Sequence, residues 1–129
     1  MKGGSGTFTA GDSIKGDFSF KSRFEDGPGA NPEQLIAGAH AACFSMAFSA
    51  ALAEAGHTPD SVTTDAVVTL RLLDSGPTIT KIALTTVGVV PGIDDAKFQE
   101  IAAGAKANCP VSKALAGVAE ITMTATLLK

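Results

Sequence analysis

The sequence contains no tryptophan, no tyrosine and only two cysteines, so its seven phenylalanines supply all of the aromatic bulk. In a reducing compartment, two cysteines are more often free or redox-active than a permanent disulfide. Charge is sparse as well: charged residues make up 18% of the chain, the net charge is −3, and no block of like charges occurs. A chain without a basic surface has no electrostatic attraction for nucleic acid or for an anionic membrane. We therefore expect neither as a partner.

Several motifs of known chemistry are missing too. The sequence has no glycine loop suited to phosphate, no nucleophile elbow, and no C-x-x-C pair of the kind found in thiol–disulfide exchangers. The N-terminal "MKGGSGTFTA" has no apolar segment behind its single lysine, so we expect a cytoplasmic protein and not a secreted one. The cysteines and histidines follow no recognised zinc-ligand spacing, so we expect no metal site. These residues are Cys43, Cys109, His40 and His57.

The composition is otherwise that of a folded protein, because apolar residues make up 45% of a 129-residue chain, which is long enough for one domain. Hydrophobic alternation and helical periodicity predict the order β-β-α-β-β-α-β. The strands are joined by hairpins and do not alternate regularly with helices. This order favours an α+β fold with an antiparallel sheet.

The second predicted strand, "GDFSFKSRF", alternates apolar and polar residues. Phe18, Phe20 and Phe24 share one face, and Lys21 and Arg23 lie on the other. A charged strand face is usually only solvated. An arginine on that face would nevertheless favour the thiolate form of a nearby cysteine.

A long helix is predicted from Pro32 to about Ala55. Asn31 is a suitable N-cap before it, and Gly56 is a natural C-terminal cap. The helix is long enough to span a membrane, but its many Ala, Gly and Ser residues favour a helix buried by protein. One sheet covers only one face of such a helix, and its small residues let another helix come close, so a second copy of the chain would cover the rest.

Cys43 lies in the middle of this helix, where burial alone would raise its pKa and make it inert packing. Cys109 comes just before Pro110, at or next to the N-cap of a short helix, where backbone N–H groups favour a thiolate. Local sequence therefore makes Cys109 the more reactive thiol, unless it is only a turn residue. If the fold brings the two together, one thiolate could attack a peroxide and the second thiol could capture the sulfenic acid.

Glu33 and His40 are ambiguous. Glu33 suits the start of a helix without any further role. It lies about 15 Å of helical rise from Cys43, so the two share a site only if the helix start bends back or a neighbouring subunit supplies the glutamate. His40 lies one turn before Cys43 on the same side, where a core or interface role is the simplest interpretation.

Four blocks together resemble the OsmC branch of the OsmC/Ohr family of bacterial cysteine-based hydroperoxide reductases. These blocks are "SRFE", "NPEQLIAGAHAACFSMAFSAALAEAG", "ITKIALTTVGVVPGID" and "AKANCPVSKAL". The resemblance implies an intertwined homodimer with two long central helices flanked by mostly antiparallel sheets. It also implies one OsmC-like domain over residues 1–129, from which the opening strand of the family is missing.

The resemblance assigns a role to each candidate residue, at active sites on the dimer interface. Cys43 maps to the peroxidatic cysteine and Cys109 to the resolving cysteine, which reverses the local expectation about their reactivity. Arg23 maps to the arginine that stabilises the thiolate and the peroxide, and Glu33 to the glutamate that orients this arginine, across the dimer.

The implied function is a peroxidase that reduces organic hydroperoxides to alcohols, and hydrogen peroxide less well, in defence against oxidative or osmotic stress. The resemblance implies no metal, haem or flavin, and a dithiol reductant of the lipoyl type. The alternative is a stress-induced dimeric binding or structural protein in which both cysteines only pack. Slow thiol labelling of the folded protein would favour that alternative.

Overall fold

The computed structural model describes residues 3–129. The elements in chain order are β1 (Ser5–Ala10), β2 (Ile14–Ser19), α1 (Phe20–Phe24), α2 (Pro32–Glu54), β3 (Ser61–Leu73), β4 (Gly76–Val89), α3 (Asp95–Asn108), α4 (Pro110–Ala114) and β5 (Glu120–Leu128). The predicted α+β class is confirmed. The chain forms two compact units, one ending at Ile36 and the other spanning Ala37–Lys129.

The first unit is built on a hairpin in which β1 and β2 pair antiparallel from Ser5↔Ser19 to Ala10↔Ile14. Its turn includes Gly11 at φ 62°, a left-handed conformation that glycine adopts without steric cost. The predicted pair of opening strands is therefore confirmed.

The prediction that the second strand continues through Arg23 is wrong. The strand ends at Ser19, whose hydroxyl accepts from the Ser22 N–H while the Ser22 hydroxyl oxygen accepts from the Ser19 N–H. This capping box starts α1, and the rings of Phe20 and Phe24 then stack one turn apart with centroids at 4.9 Å. Arg23 therefore lies on a helical turn and not on the polar face of a strand.

The predicted boundaries of the long helix are confirmed to within a residue. Asn31 Oδ1 accepts from the Gln34 N–H at 2.8 Å, as an N-cap does, and Pro32 takes the first helical position. At the other end Gly56 turns the chain at φ 88°, and the His57 N–H donates to the Leu52 carbonyl.

The second unit contains a three-stranded sheet of order β3-β4-β5. β3 and β4 form the predicted antiparallel hairpin, with a register shift between Thr69 and Leu70. β5 pairs with β4 in parallel, so the expectation of an antiparallel sheet is wrong at this strand, whereas the other two strand pairs are antiparallel. The reason is that α3 and α4 intervene, and a helical crossover returns the chain to the end at which β4 began.

The hydrophobic core of this unit lies between α2, the sheet and α3. Phe44, Phe48 and Leu52 form one buried stripe of α2, and the Phe48 ring contacts that of Phe98 at a centroid distance of 5.1 Å. Outside this stripe the helix is mostly open, since only 22% of its most apolar window is buried. The expectation that α2 is buried on most sides is therefore not met by one chain alone.

By length and composition α2 is the one helix among residues 3–129 that could cross a membrane, with a mean hydropathy of 1.6. The same test is passed by core helices of soluble proteins. The buried stripe of α2 packs on protein in this fold.

Candidate active site

The fold of the second unit brings the two cysteines together. Cys109 lies at the junction of α3 and α4, where its N–H donates to the Ala105 carbonyl at 2.8 Å and Pro110 begins the next helix. It is completely buried in the core. Cys43 is half-buried and packs against the same core cluster, and neither cysteine is in a disulfide. Two residues far apart in the sequence thus meet through the tertiary fold.

The surroundings of Cys109 favour its thiolate. Burial is the largest single influence and acts to raise the pKa of this thiol. The Ser112 N–H and hydroxyl, the Cys43 thiol and the Val111 N–H are close enough to stabilise the thiolate and together outweigh burial, so the pKa of Cys109 is lowered. The Cys109 side chain forms no regular N-cap hydrogen bond, so these donors act without a capping geometry.

The opposite balance holds at Cys43. The Val111 N–H is the largest influence and acts to lower its pKa, but burial and the adjacent Cys109 outweigh this hydrogen bond and leave the pKa of Cys43 raised. Cys109 is therefore the more acidic thiol of the pair, in line with the local sequence and not with the order of roles that the resemblance implies. A peroxidatic Cys43 needs a further donor or a positive charge at its sulfur.

Behind the thiols, His40 of α2 is hydrogen-bonded to Ser112 of α4, with Nε2 and Oγ 2.7 Å apart. Both residues are buried, and burial lowers the pKa of His40, which keeps its ring neutral near pH 7. The sequence indicated a core or interface role for His40 and no role for Ser112. The available signal was that Ser112 follows Cys109 by one helical turn.

Arg23 and Glu33 form an ion pair in the first unit. Arg23 Nη2 and Nε donate to the same oxygen, Glu33 Oε1, at 2.8 and 3.2 Å. The glutamate side chain is 9% exposed and the arginine side chain 36%, so the guanidinium is held by a nearly buried carboxylate. The guanidinium also lies 5.5 Å from the centroid of the Phe24 ring. Because both residues belong to one chain, their contact needs no second subunit.

Within residues 3–129 no group of three or more His, Cys, Asp or Glu side chains could hold a metal ion. A cavity of about 520 Å³ lies beside α4, and Ser112 lines it. The other lining residues are Ala103, Lys106, Ala107, Lys113, Ala116, Ile121 and Met123. The apolar lining and the two lysines of this cavity therefore lie next to Ser112, which contacts Cys109.

Comparison with known proteins identifies the family of this chain. The profile of the family described as OsmC-like protein matches residues 25–124. The chain is 50% identical to Peroxiredoxin OsmC of Escherichia coli (strain K12) over 125 residues, which cover 95% of this chain and 86% of that protein. It is 35% identical to the organic hydroperoxide resistance protein of Xanthomonas axonopodis pv. citri (strain 306) over 99 residues, or 76% of this chain and 68% of that protein.

The fold is shared with solved structures at low sequence identity. A crystal structure of an organic hydroperoxide resistance protein from Elizabethkingia anophelis superposes with a TM-score of 0.77 at 21% identity, covering 97% of this chain and 95% of that chain. An OsmC-like protein of Vibrio cholerae gives a TM-score of 0.76 at 19% identity, covering 94% of this chain and 83% of that chain. At this identity the match concerns the fold alone.

Proposed function

Because the chain belongs to the OsmC-like protein family, we propose that it is a cysteine-based peroxidase that reduces organic hydroperoxides to alcohols. The observation that carries the proposal is the pair of free thiols, Cys43 and Cys109, brought into contact inside one chain. A thiol pair of this kind is sufficient for peroxide reduction without a metal, haem or flavin. The role is defence against oxidative or osmotic stress.

The proposed reaction has two steps. The Cys43 thiolate attacks the distal peroxide oxygen, the O–O bond breaks, and the alkoxide takes up a proton and leaves as an alcohol. The Cys109 thiolate then attacks the sulfur of the Cys43 sulfenic acid, the S–S bond forms, and hydroxide leaves and is protonated to water. An external dithiol of the lipoyl type returns the disulfide to two thiols. Apolar surroundings favour organic hydroperoxides over hydrogen peroxide.

Arg23 and Glu33 complete the proposed site. Since the pKa of Cys43 is raised within its own unit, its ionisation calls for a cation, and Arg23 is the candidate. The Glu33 carboxylate fixes this guanidinium through two hydrogen bonds to one oxygen. The ion pair forms within one chain, so the pair acts as a unit, whether on Cys43 of its own chain or on that of a partner.

The proposal includes a homodimer in which the two α2 helices pack at the centre. Support comes from the exposed face of α2, where Met46 is 74% exposed and Ala39 and Ala42 lie open. Small residues of this kind allow a second helix to approach closely. Residues 1–129 then act as one OsmC-like domain of a cytoplasmic protein.

The test is the fate of the thiols after one equivalent of cumene hydroperoxide. The parent protein should lose two hydrogens per chain by intact mass, as disulfide formation requires. Cys43→Ser should abolish peroxide consumption, whereas Cys109→Ser should permit one turnover and then accumulate Cys43 as a sulfenic or more oxidised acid. Full turnover by Cys43→Ser would refute the assignment of the peroxidatic role.

The second candidate is a dimeric binding or structural protein whose cysteines only pack. The complete burial of Cys109 and the raised pKa of Cys43 favour it. Thiol labelling of the folded protein at neutral pH separates the two: labelling as slow as that expected for buried thiols, with no mass change after peroxide, would support the packing function.

A further inference from the structure

The hydrogen bond between His40 and Ser112 has no part in the reaction described so far. It joins two buried polar side chains from distant parts of the chain, and the Ser112 hydroxyl lies close enough to the Cys109 sulfur to lower the pKa of that thiol. Burying an imidazole and a hydroxyl costs free energy that one mutual hydrogen bond only roughly offsets. Core packing alone therefore does not explain the His40–Ser112 pair, and Ser112 lies beside the reactive thiol of Cys109.

The direction of the hydrogen bonds follows from what each atom faces. Nδ1 of His40 is buried and has no hydrogen-bond partner among the described residues, so a proton there would be a donor without an acceptor. The ring proton is better placed on Nε2, where it is donated to Ser112 Oγ. The hydroxyl proton of Ser112 is then free to be donated onward to Cys109.

We propose that His40 and Ser112 are positioning residues for Cys109, with His40 holding the Ser112 hydroxyl so that its proton points at the sulfur that closes the disulfide. This inference rests on the proposed function, because the step it serves is the attack of the Cys109 thiolate on the Cys43 sulfenic acid. In that step the S–S bond forms and the S–O bond breaks. The departing hydroxide takes up the proton that Cys109 released and leaves as water.

The titratable groups near His40, Ser112 and Cys109 come from three helices. α2 contributes Cys43, which lies one turn after His40 and helps to lower the pKa of Cys109. Lys106 of α3 and Lys113 of α4 line the cavity that Ser112 also lines. Both lysines stay in place in every variant below, so that a change in the pKa of Cys109 reports on the His40–Ser112 pair.

The decisive measurement is a titration that needs no peroxide. In a Cys43→Ser background, Cys109 is the remaining cysteine, and its ionisation is followed by the ultraviolet absorbance of the thiolate. Adding Ser112→Ala or His40→Leu should raise the pKa of Cys109, because each removes a donor from the chain of hydrogen bonds. His40→Gln, whose amide N–H still donates to Ser112, should return the pKa toward that of the background.

The matched control is Ser45→Ala. It removes a hydroxyl from the same helix, but this hydroxyl donates to Thr64 at 2.7 Å and not to a residue next to Cys109. It should leave the pKa of Cys109 unchanged. A pKa that Ser112→Ala and His40→Leu do not raise, in protein with the circular dichroism of the background, would overturn the inference. If His40→Leu does not fold, the pKa of Cys109 in Ser112→Ala and His40→Gln decides whether the inference holds.

A second readout uses the chain with both cysteines. Rapid mixing with a hydroperoxide separates formation of the sulfenic acid from closure of the disulfide. Ser112→Ala should slow closure roughly twofold to fourfold near neutral pH, since the loss of thiolate is partly offset by the greater nucleophilicity of a more basic sulfur. Unchanged closure would count against the inference. If the protein does not reduce peroxides, disulfide closure cannot be observed, but the titration of Cys109 can still support the inference. Failure of the proposed function and failure of this inference are therefore distinguishable.

Discussion

At the scale of single residues, Cys43 and Cys109 share a hydrogen-bond donor, because the Val111 N–H acts on both sulfurs. The two thiols also contact each other, so their ionisations are coupled and the first thiolate to form raises the pKa of the second. In the reduced state that first thiolate is Cys109. Under the proposed function, peroxide chemistry at Cys43 therefore requires a change in this balance.

The sequence singled out both cysteines, Arg23 and Glu33, since each lies in a recognisable block. It could not show that Arg23 and Glu33 pair within one chain, because that contact depends on how α1 turns back toward the start of α2. It also missed the His40–Ser112 hydrogen bond, because no local pattern links two residues so far apart in the chain. The sequence therefore showed which residue types carry the chemistry, but it could not show which contacts the tertiary fold makes between them.

A prediction at this scale concerns acid stability. Burial lowers the folded-state pKa of His40 below its ordinary value of 6.5, so the unfolded chain binds a proton more readily than the folded chain. The contribution of the neutral, buried His40 to the free energy of unfolding is fully present above pH 6.5. It is lost as the pH falls through the lowered folded-state pKa. Urea unfolding at a series of pH values should show the decline, and His40→Gln should flatten it. An unchanged slope in His40→Gln would show that other groups control acid unfolding.

At the scale of elements, the sequence predicted every long helix and strand but missed α1. Phe18, Phe20, Phe24 and the polar residues between them satisfy a strand pattern, yet Phe20 and Phe24 are equally well spaced for one helical turn. The choice is made by Ser19 and Ser22, whose hydroxyls satisfy each other's backbone N–H groups. Such short-range capping competes with strand pairing and is weakly visible in periodicity.

A prediction at this scale is that α1 depends on its cap. Ser19→Ala removes the hydroxyl that accepts from Ser22 and should lower the free energy of unfolding by about 1 kcal/mol. Because α1 carries Arg23, it should also reduce peroxidase activity. Ser13→Ala, in the exposed turn of the hairpin, is the matched control and should have little effect. Equal stability of the two variants by urea unfolding would contradict a role for the cap.

At the scale of the whole molecule, α2 has more apolar surface than one chain buries. The sequence predicted this surplus from the small and apolar residues around the helix, and it inferred a second copy of the chain as the cover. It could not identify which stripe faces the core, because a helix apolar on nearly all sides has almost no amphipathic signal. The fold shows that stripe to run through His40, Phe44, Phe48 and Leu52.

The prediction at this scale tests the dimer. Met46→Glu places a charge on the open face of α2 and should convert the proposed dimer to a monomer, because burying an unpaired carboxylate is costly. Ala119→Glu, on an exposed turn before β5, should remain dimeric and serves as the matched control. Sedimentation velocity at micromolar concentration gives the masses. A dimer that persists in Met46→Glu would place the interface elsewhere.

The parallel pairing of β5 with β4 has a consequence for the order of events during synthesis. β5 is made after α3 and α4, and Gln99 of α3 donates to the Ala125 carbonyl of β5 at 2.8 Å. Chains fold from the N-terminus as they emerge from the ribosome, so α3 lacks this partner until β5 has been made. We therefore expect the junction that holds Cys109 to dock late. Under the proposed function, the two thiols would then become a redox-competent pair only after translation has passed the last strand.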